Sequence, residues 1–270
     1  MLTELRRHAE AIARQAGAVL REHAARPETR VTYKSTAIDP VTEADKASEA
    51  VLIRAIRAAY PNHAILSEEG GGGEQPAAAP YCWVIDPLDG TVNFAHGCPA
   101  YAVNLAVVDA VGEPVVGVTY DPQRDECFSA ARGGGAALNG QPIRVSRTET
   151  LLRALVATGF SYDSHTAADN NTAAWAAFIR RAQAARCTGS AALELAYVAC
   201  GRWDGYWERK LHAWDMLAGI LLVREAGGMA TTFSGETAGL FAGDQVLASN
   251  GLIHQAMIDV LMEVRAGQAG

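Results

Sequence analysis

Two aspartates stand three residues apart in the stretch Trp83-Val84-Ile85-Asp86-Pro87-Leu88-Asp89-Gly90-Thr91-Val92-Asn93-Phe94. Carboxylates at that spacing repel unless something positive lies between them, and hard oxygen ligands suit Mg²⁺. The carbonyl of Leu88 is a further candidate ligand. Taken alone, the stretch also reads as a strand ending in an Asp-Gly turn with an Asx hydrogen bond, the commoner use of these residues. Other acids occupy comparable places. Glu68-Glu69 follows the short apolar run Ala64–Ser67, and Asp215 follows Trp214 at the start of an apolar segment. Asp45 stands three residues after Thr42. That is capping-box spacing, which accounts for Asp45 structurally and also sets its carboxylate by a helix N-terminus, where the charged form is favoured.

These acids need rigid elements to hold them. Tyr81–Ile85 is an apolar run that reads as a buried strand, broken at Asp86-Pro87 because proline fixes one backbone angle. Leu5, Ala9, Ile12, Ala16, Val19 and Leu20 recur at helical spacing, which predicts a helix over 2–25. A second helix runs from Thr42 to about Tyr60, and Val31–Ala37 is a strand or loop in which Lys34 reads as solvated. Gly70–Pro80 is a loop of Gly, Ala and Pro without the pattern of a phosphate-binding loop. Strands over 102–108, 115–120 and 126–131 are separated by short turns, so they form antiparallel meanders. A boundary between two halves falls near residue 148. Beyond it come a strand over 152–158, a helix over about 165–183, a helix over 190–200 and a strand over 205–208. A helix over 214–226, strands over 230–233 and 246–249, and a helix from about 252 follow. Helices and strands mix throughout, which predicts a layered α/β (mixed α+β) assembly rather than a doubly wound parallel sheet.

Composition narrows the function. The chain has 270 residues, 49% of them apolar, and a net charge of −7. That charge argues against nucleic acid or an anionic membrane surface held by charge alone. The five cysteines are scattered and form no CxxC, which suggests reduced thiols in a cytoplasmic protein rather than a disulfide framework or a zinc site. The N-terminal stretch shows no signal-peptide pattern, and no apolar run is long enough to span a bilayer.

Four segments together resemble the inositol monophosphatase family of metal-dependent phosphatases. They are Asp39-Pro-Val-Thr-Glu-Ala-Asp45, Glu68-Glu69, Trp83 to Phe94, and Trp214-Asp215-Met-Leu-Ala-Gly219 followed by Glu225-Ala-Gly-Gly228. The resemblance spans nearly the whole chain, and the long central motif is highly specific. It implies a five-layered αβαβα sandwich, a homodimer, and hydrolysis of a phosphate monoester with two or three Mg²⁺ ions per site, Mn²⁺ being an alternative. One compact unit is expected, with most of the metal site in residues 1–148. Asp215 and the hydroxyl-binding region fall in 149–270. The implied metal ligands are Glu68, Asp86, the Leu88 carbonyl, Asp89 and Asp215. Catalysis falls to Asp45 and Thr91, which activate the water, and to Glu68. Substrate contacts are the amides of Gly90 and Thr91 for phosphate, and Gly189, Ser190, Ala191 and Glu208 for hydroxyls.

The first expectation is an inositol-1-phosphate phosphatase acting on a small phosphorylated polyol. Fructose-1,6-bisphosphatase and histidinol-phosphate phosphatase are the alternatives. A 3′-phosphoadenosine 5′-phosphate phosphatase fits less well, because Val92-Asn93-Phe94 stands where such enzymes usually carry Lys-Glu-Phe. A regulatory binding protein is the non-enzyme alternative, since a family member can act by binding transcription machinery. Two departures from the family pattern stand out. Ser67 and Lys210 occupy positions where relatives usually have glycine. Ser67 is expected to matter little, as loop backbone. Lys210 and Arg209 are expected to face solvent or to contact a second phosphate, the solvent reading being favoured. His96, His212 and the tryptophans are assigned packing or surface roles.

Overall fold

The computed structural model describes residues 1–25, 31–33, 40–70, 79–237, 239–240 and 243–268. Lys34, Asp39 and most of the Gly70–Pro80 loop lie outside them. The elements in chain order are α1 (Leu2–Ala24), β1 (Val31–Tyr33), β2 (Pro40–Thr42), α2 (Glu43–Ala59), β3 (Ala64–Ser67), β4 (Tyr81–Asp89) and α3 (Thr91–Ala95). Next come β5 (Ala102–Asp109), β6 (Pro114–Asp121), β7 (Glu126–Ala131), β8 (Ala136–Leu138), β9 (Gln141–Pro142) and β10 (Leu155–Thr158). The chain continues through α4 (Thr172–Ile179), β11 (Ala184–Arg186), α5 (Ala191–Ala199), β12 (Gly205–Leu211) and α6 (Ala213–Glu225). It closes with β13 (Met229–Thr231), β14 (Asp244–Ser249) and α7 (His254–Gln268).

Two mixed sheets carry the fold. Residues 64–142 build a seven-stranded sheet in the order β3-β4-β5-β6-β7-β8-β9, and residues 155–249 build a five-stranded sheet in the order β11-β10-β12-β14-β13. Helices α1 and α2 cover one face of the larger sheet, α5 and α6 lie between the sheets, and α4 and α7 cover the far face of the smaller one. This is the expected five-layer αβαβα sandwich. Strands β4 to β7 of the larger sheet are buried on both faces, which is why they read as apolar runs rather than alternations. Along β4, Trp83 and Ile85 point toward α1 and α2 while Val84 points toward α6. Helix α6 is buried from Met216 to Val223, as an all-apolar helix between two sheets should be. Among the described residues no helix is long and apolar enough to cross a membrane.

Several element boundaries differ from the sequence reading. The strand foreseen over 152–158 begins as a 3-10 turn at Leu151–Arg153 and becomes β10 only at Leu155. The helix foreseen over 165–183 shrinks to α4. Before it the chain makes only turns, and Asn171 adopts a left-handed φ of +65° that a continuous helix cannot include. After it, Ala184–Arg186 pairs with β10 as an edge strand too short to show periodicity. The glycine-rich 133–140 stretch contains β8.

Candidate active site

Strand β4 reaches the site through a break in its ladder. Asp86 pairs with Asn104 of β5 but Asp89 pairs with Ala102, so β4 carries one extra residue there. Pro87 has no N–H to give the ladder, and a bulge is where such a residue is tolerated. The Asx bond also forms: Leu88 N–H donates to Asp86 Oδ1 at 2.9 Å. Next, Gly90 has φ +88°, and a Cβ there would lie 2.9 Å from the carbonyl oxygen of Ala100. Only glycine satisfies both the backbone angle and the space.

Three further elements bring acids to this point. Strand β3 runs parallel to β4 with Ser67 beside Ile85, so Glu68 emerges next to Asp86, and its N–H donates to the Ile85 carbonyl at 3.2 Å. Ser67 is not merely loop backbone. Its buried hydroxyl donates to Glu49 of α2 and ties β3 to that helix. Asp215 sits in the first turn of α6, where its Oδ2 accepts the His212 N–H at 2.6 Å. Asn104, buried in the apolar run of β5, donates to the carbonyls of Trp214 at 2.7 Å and Asp215 at 3.2 Å, and accepts from Thr119 at 2.8 Å. It fixes the start of α6 against the larger sheet. A polar residue inside the apolar run 102–108 was its sequence signal, and the sequence reading passed over it.

Asp45 divides its two oxygens between two tasks. Oδ2 accepts the Thr42 N–H at 2.7 Å and the Thr42 hydroxyl at 2.6 Å, completing the cap of α2. Oδ1 lies 3.2 Å from Thr91 Oγ1, whose single proton can also reach the Leu88 carbonyl at 2.9 Å. Asp45 is fully buried. On the other side of the site, Asp89 Oδ2 accepts from the Ser190 hydroxyl and from the Ala192 N–H at 3.0 Å, which docks the start of α5 onto β4. Asn93 reinforces that joint by donating to the carbonyls of Ala100 at 2.7 Å and Thr188 at 2.6 Å.

The charge balance is strained. Burial pushes the Asp86 carboxyl well up, and the neighbouring Glu68, Asp89 and Asp215 push it further. Burial also raises Asp89, to about 7, against the hydrogen bond from Ser190. Glu208, on β12, is pushed up to about 8, chiefly by burial. Its Oε2 accepts from the Tyr206 hydroxyl, and Gly159 packs so closely that a Cβ there would lie 2.3 Å from both carboxylate oxygens. Glu68, Asp86, Asp89, Thr91, Glu208 and Asp215 all line one cleft of about 520 Å³, together with the backbone around Gly90 and Gly189–Ala191. The cleft is also lined by Phe160, Tyr162 and His165, which the sequence reading did not place there, by Lys210, for which that reading left solvent and substrate both open, and by His212, which stacks on Trp214. His96 is exposed, as expected.

Among the described residues no group of three or more His, Cys, Asp or Glu side chains forms a ready-made metal cage. The donor set nonetheless fits a hard cation. Local donors hold Asp89 and Asp215 by Oδ2, which fixes both carboxylates at the cleft. Four carboxylates in mutual repulsion, with a backbone carbonyl in the same turn, are oxygen ligands of the kind Mg²⁺ takes.

The chain matches the model of the inositol monophosphatase family over residues 1–266. It belongs to that family. It is 46% identical to inositol-1-monophosphatase of Synechocystis sp. over 232 residues, 86% of this chain and 80% of that protein. It is 42% identical to Nus factor SuhB of Pseudomonas aeruginosa over 252 residues, 92% of each. The solved inositol monophosphatase of Anabaena (Nostoc) sp. superposes with a TM-score of 0.86 at 43% identity, covering 97% of this chain and 96% of that one. The protein is therefore a phosphoric monoester hydrolase of the inositol monophosphatase family, whose members are metal-dependent.

Burial of these carboxyls, with the repulsion added to it, gives a pH dependence. A carboxyl whose folded pKa lies above its unfolded value of about 4 stabilises the fold fully below that value and loses the contribution as pH rises through the folded pKa. With Asp89 at about 7 and Glu208 at about 8, the Tm measured in chelator should fall between about pH 5 and pH 8. The Tm gain from added Mg²⁺ should grow over the same range. Thermal melts across pH with and without Mg²⁺ check this, and a flat metal-free profile would refute it.

Proposed function

We propose that the protein hydrolyses inositol-1-phosphate to inositol and phosphate with Mg²⁺. The observation that carries this reading is Glu208, a buried carboxylate facing the same cleft as the acidic cluster and held by Tyr206 and Gly159. A carboxylate so placed can accept hydrogen bonds from polyol hydroxyls while the phosphate lies at the β4 turn. The naming of the Synechocystis relative supports the same substrate.

Each residue then has a role in this reading. Glu68, Asp86, Asp89, Asp215 and the Leu88 carbonyl would hold Mg²⁺, which supplies positive charge for the attacking water and for the leaving oxygen. The backbone amides of Gly90 and Thr91 hold phosphate oxygens. Thr91 Oγ1 accepts a hydrogen bond from the attacking water while its own proton points to Asp45 Oδ1, and the ionised Asp45 stabilises the positive character this creates. The Ser190 hydroxyl is committed to Asp89, so Gly189, Ser190 and Ala191 meet the substrate through their backbone.

Glu208→Gln separates the roles. A polyol hydrogen bond left unmade costs about 1–3 kcal/mol. The variant should therefore lose about 5- to 150-fold in kcat/KM on inositol-1-phosphate. On p-nitrophenyl phosphate, which has no polyol, the loss should be much smaller. Equal loss on both would place Glu208 with the scaffold. Steady-state rates on inositol-1-phosphate, fructose-1,6-bisphosphate, histidinol phosphate and 3′-phosphoadenosine 5′-phosphate test the substrate itself. Inositol-1-phosphate is expected to lead. A second reading, binding to transcription machinery, draws on the SuhB relatives. The intact acidic cluster favours catalysis as the primary role.

A further inference from the structure

Residues 159–171 leave the end of β10, follow one rim of the cleft and return to α4. The base of this loop is tied shut. The Asn171 side chain donates to Thr158 Oγ1 at 2.7 Å and to the Gly159 carbonyl at 2.8 Å, and accepts from Trp207 Nε1 at 2.9 Å. Within the loop, Ser161 donates to Asp163 Oδ1 at 2.5 Å, and the Asp163 carbonyl accepts the two amides of the following turn. It is a compact loop with joined ends, of the kind that is often functional. Its partly exposed aromatics, Phe160 and Tyr162, line the cleft.

Across the rim, the outer part of the loop meets β12 through Lys210. The Lys210 Nζ lies 2.6 Å from Asp163 Oδ2 and 2.8 Å from Asp169 Oδ1. Arg209 approaches Asp169 more loosely, at 3.9 Å. Lys210 sits on a bulge of β12 two residues beyond Glu208, with a left-handed φ of +59°. Glycine is the residue such an angle favours, and a lysine accepting that strain points to a use for its side chain. The use is not a second phosphate. Two cations face two loop carboxylates, so the rim offers no surplus positive charge to another anion.

We propose that Lys210 is a positioning residue that latches the 159–171 loop to β12 through Asp163 and Asp169 and thereby limits the bulk of the phosphate ester the cleft admits. This rests on the reading of the cleft as the phosphatase site. Lys210→Gln keeps the side-chain bulk and removes the charge. Lys210→Gly removes both the latch and the backbone strain, and Lys210→Arg retains the charge.

Hydrogen exchange at the loop amides, measured at low salt without substrate, should be about tenfold faster in the Gln and Gly variants, and near the parent in Arg. The parent should approach the variants at about 1 M salt, where exposed ion pairs are screened. The ratio of kcat/KM for 1-naphthyl phosphate over inositol-1-phosphate should rise about tenfold in Gln and Gly, mainly through KM, and return in Arg. Unchanged exchange together with an unchanged ratio in an active parent would overturn the latch, even if Tm falls. A parent without phosphatase activity would instead overturn the site reading, and the exchange rates alone would then decide the latch.

Discussion

Asp89→Asn and Asp215→Asn should each lower turnover by about 10³-fold or more, equivalent to about 4 kcal/mol of transition-state stabilisation. Neither should unfold the protein. An asparagine at 89 can still accept from Ser190 and Ala192 through its carbonyl oxygen, and one at 215 can still accept the His212 N–H. Each substitution also removes one of four mutually repelling charges, so the metal-free variants should melt no lower than the metal-free parent. What each loses is the response to the ion: added Mg²⁺ should raise the parent's Tm and leave the variants nearly unchanged. Kinetics and melts on the same preparations check both parts. A variant that keeps its activity, or loses it only because it unfolds, would remove that carboxylate from the proposed ligand set.

Thr91→Ala should reduce kcat by about 10²–10⁴, the usual worth of positioned proton transfer, with Mg²⁺ affinity largely kept. Asp45→Asn should come close to it. An asparagine at 45 must turn its oxygen to the Thr42 N–H to keep the cap, which turns its NH₂ toward Thr91. Two donors then face each other, and the Thr91 proton can no longer point at position 45. A flipped amide would restore that geometry at the expense of the cap, so some activity survives. If Asp45 only caps α2, the same substitution should cost about 1 kcal/mol of stability or less and leave kcat within about threefold. Measuring kcat at saturating Mg²⁺ beside the Tm separates the two.

The sequence made the strand ends legible because their chemistry is local. Pro87 announces the break in β4, Thr42 and Asp45 announce the cap of α2, and Trp214-Asp215 opens α6. The layered fold followed from apolar runs that are buried on both faces. What stayed hidden depends on pairings between distant residues. The Ser190–Asp89 bond joins residues 101 positions apart in the chain, and the Ser67–Glu49 bond makes a supposed loop position part of a buried tie. The 159–171 loop was read as partly helical because nothing local reports that Asn171 turns left-handed to bond Thr158 and Trp207. Lys210 looked like a surface charge because its partners, Asp163 and Asp169, lie more than forty residues away.

The central claim is that the acidic cluster at the end of β4 is the seat of a cation-dependent phosphatase. Phosphate release from inositol-1-phosphate by the purified chain tests it most directly, with the protein stripped by chelator, its metal content measured, and Mg²⁺ then titrated back. No release is expected from the stripped protein, and saturable recovery is expected with Mg²⁺ in the parent but not in Asp89→Asn. Full activity from protein shown to be metal-free would contradict it.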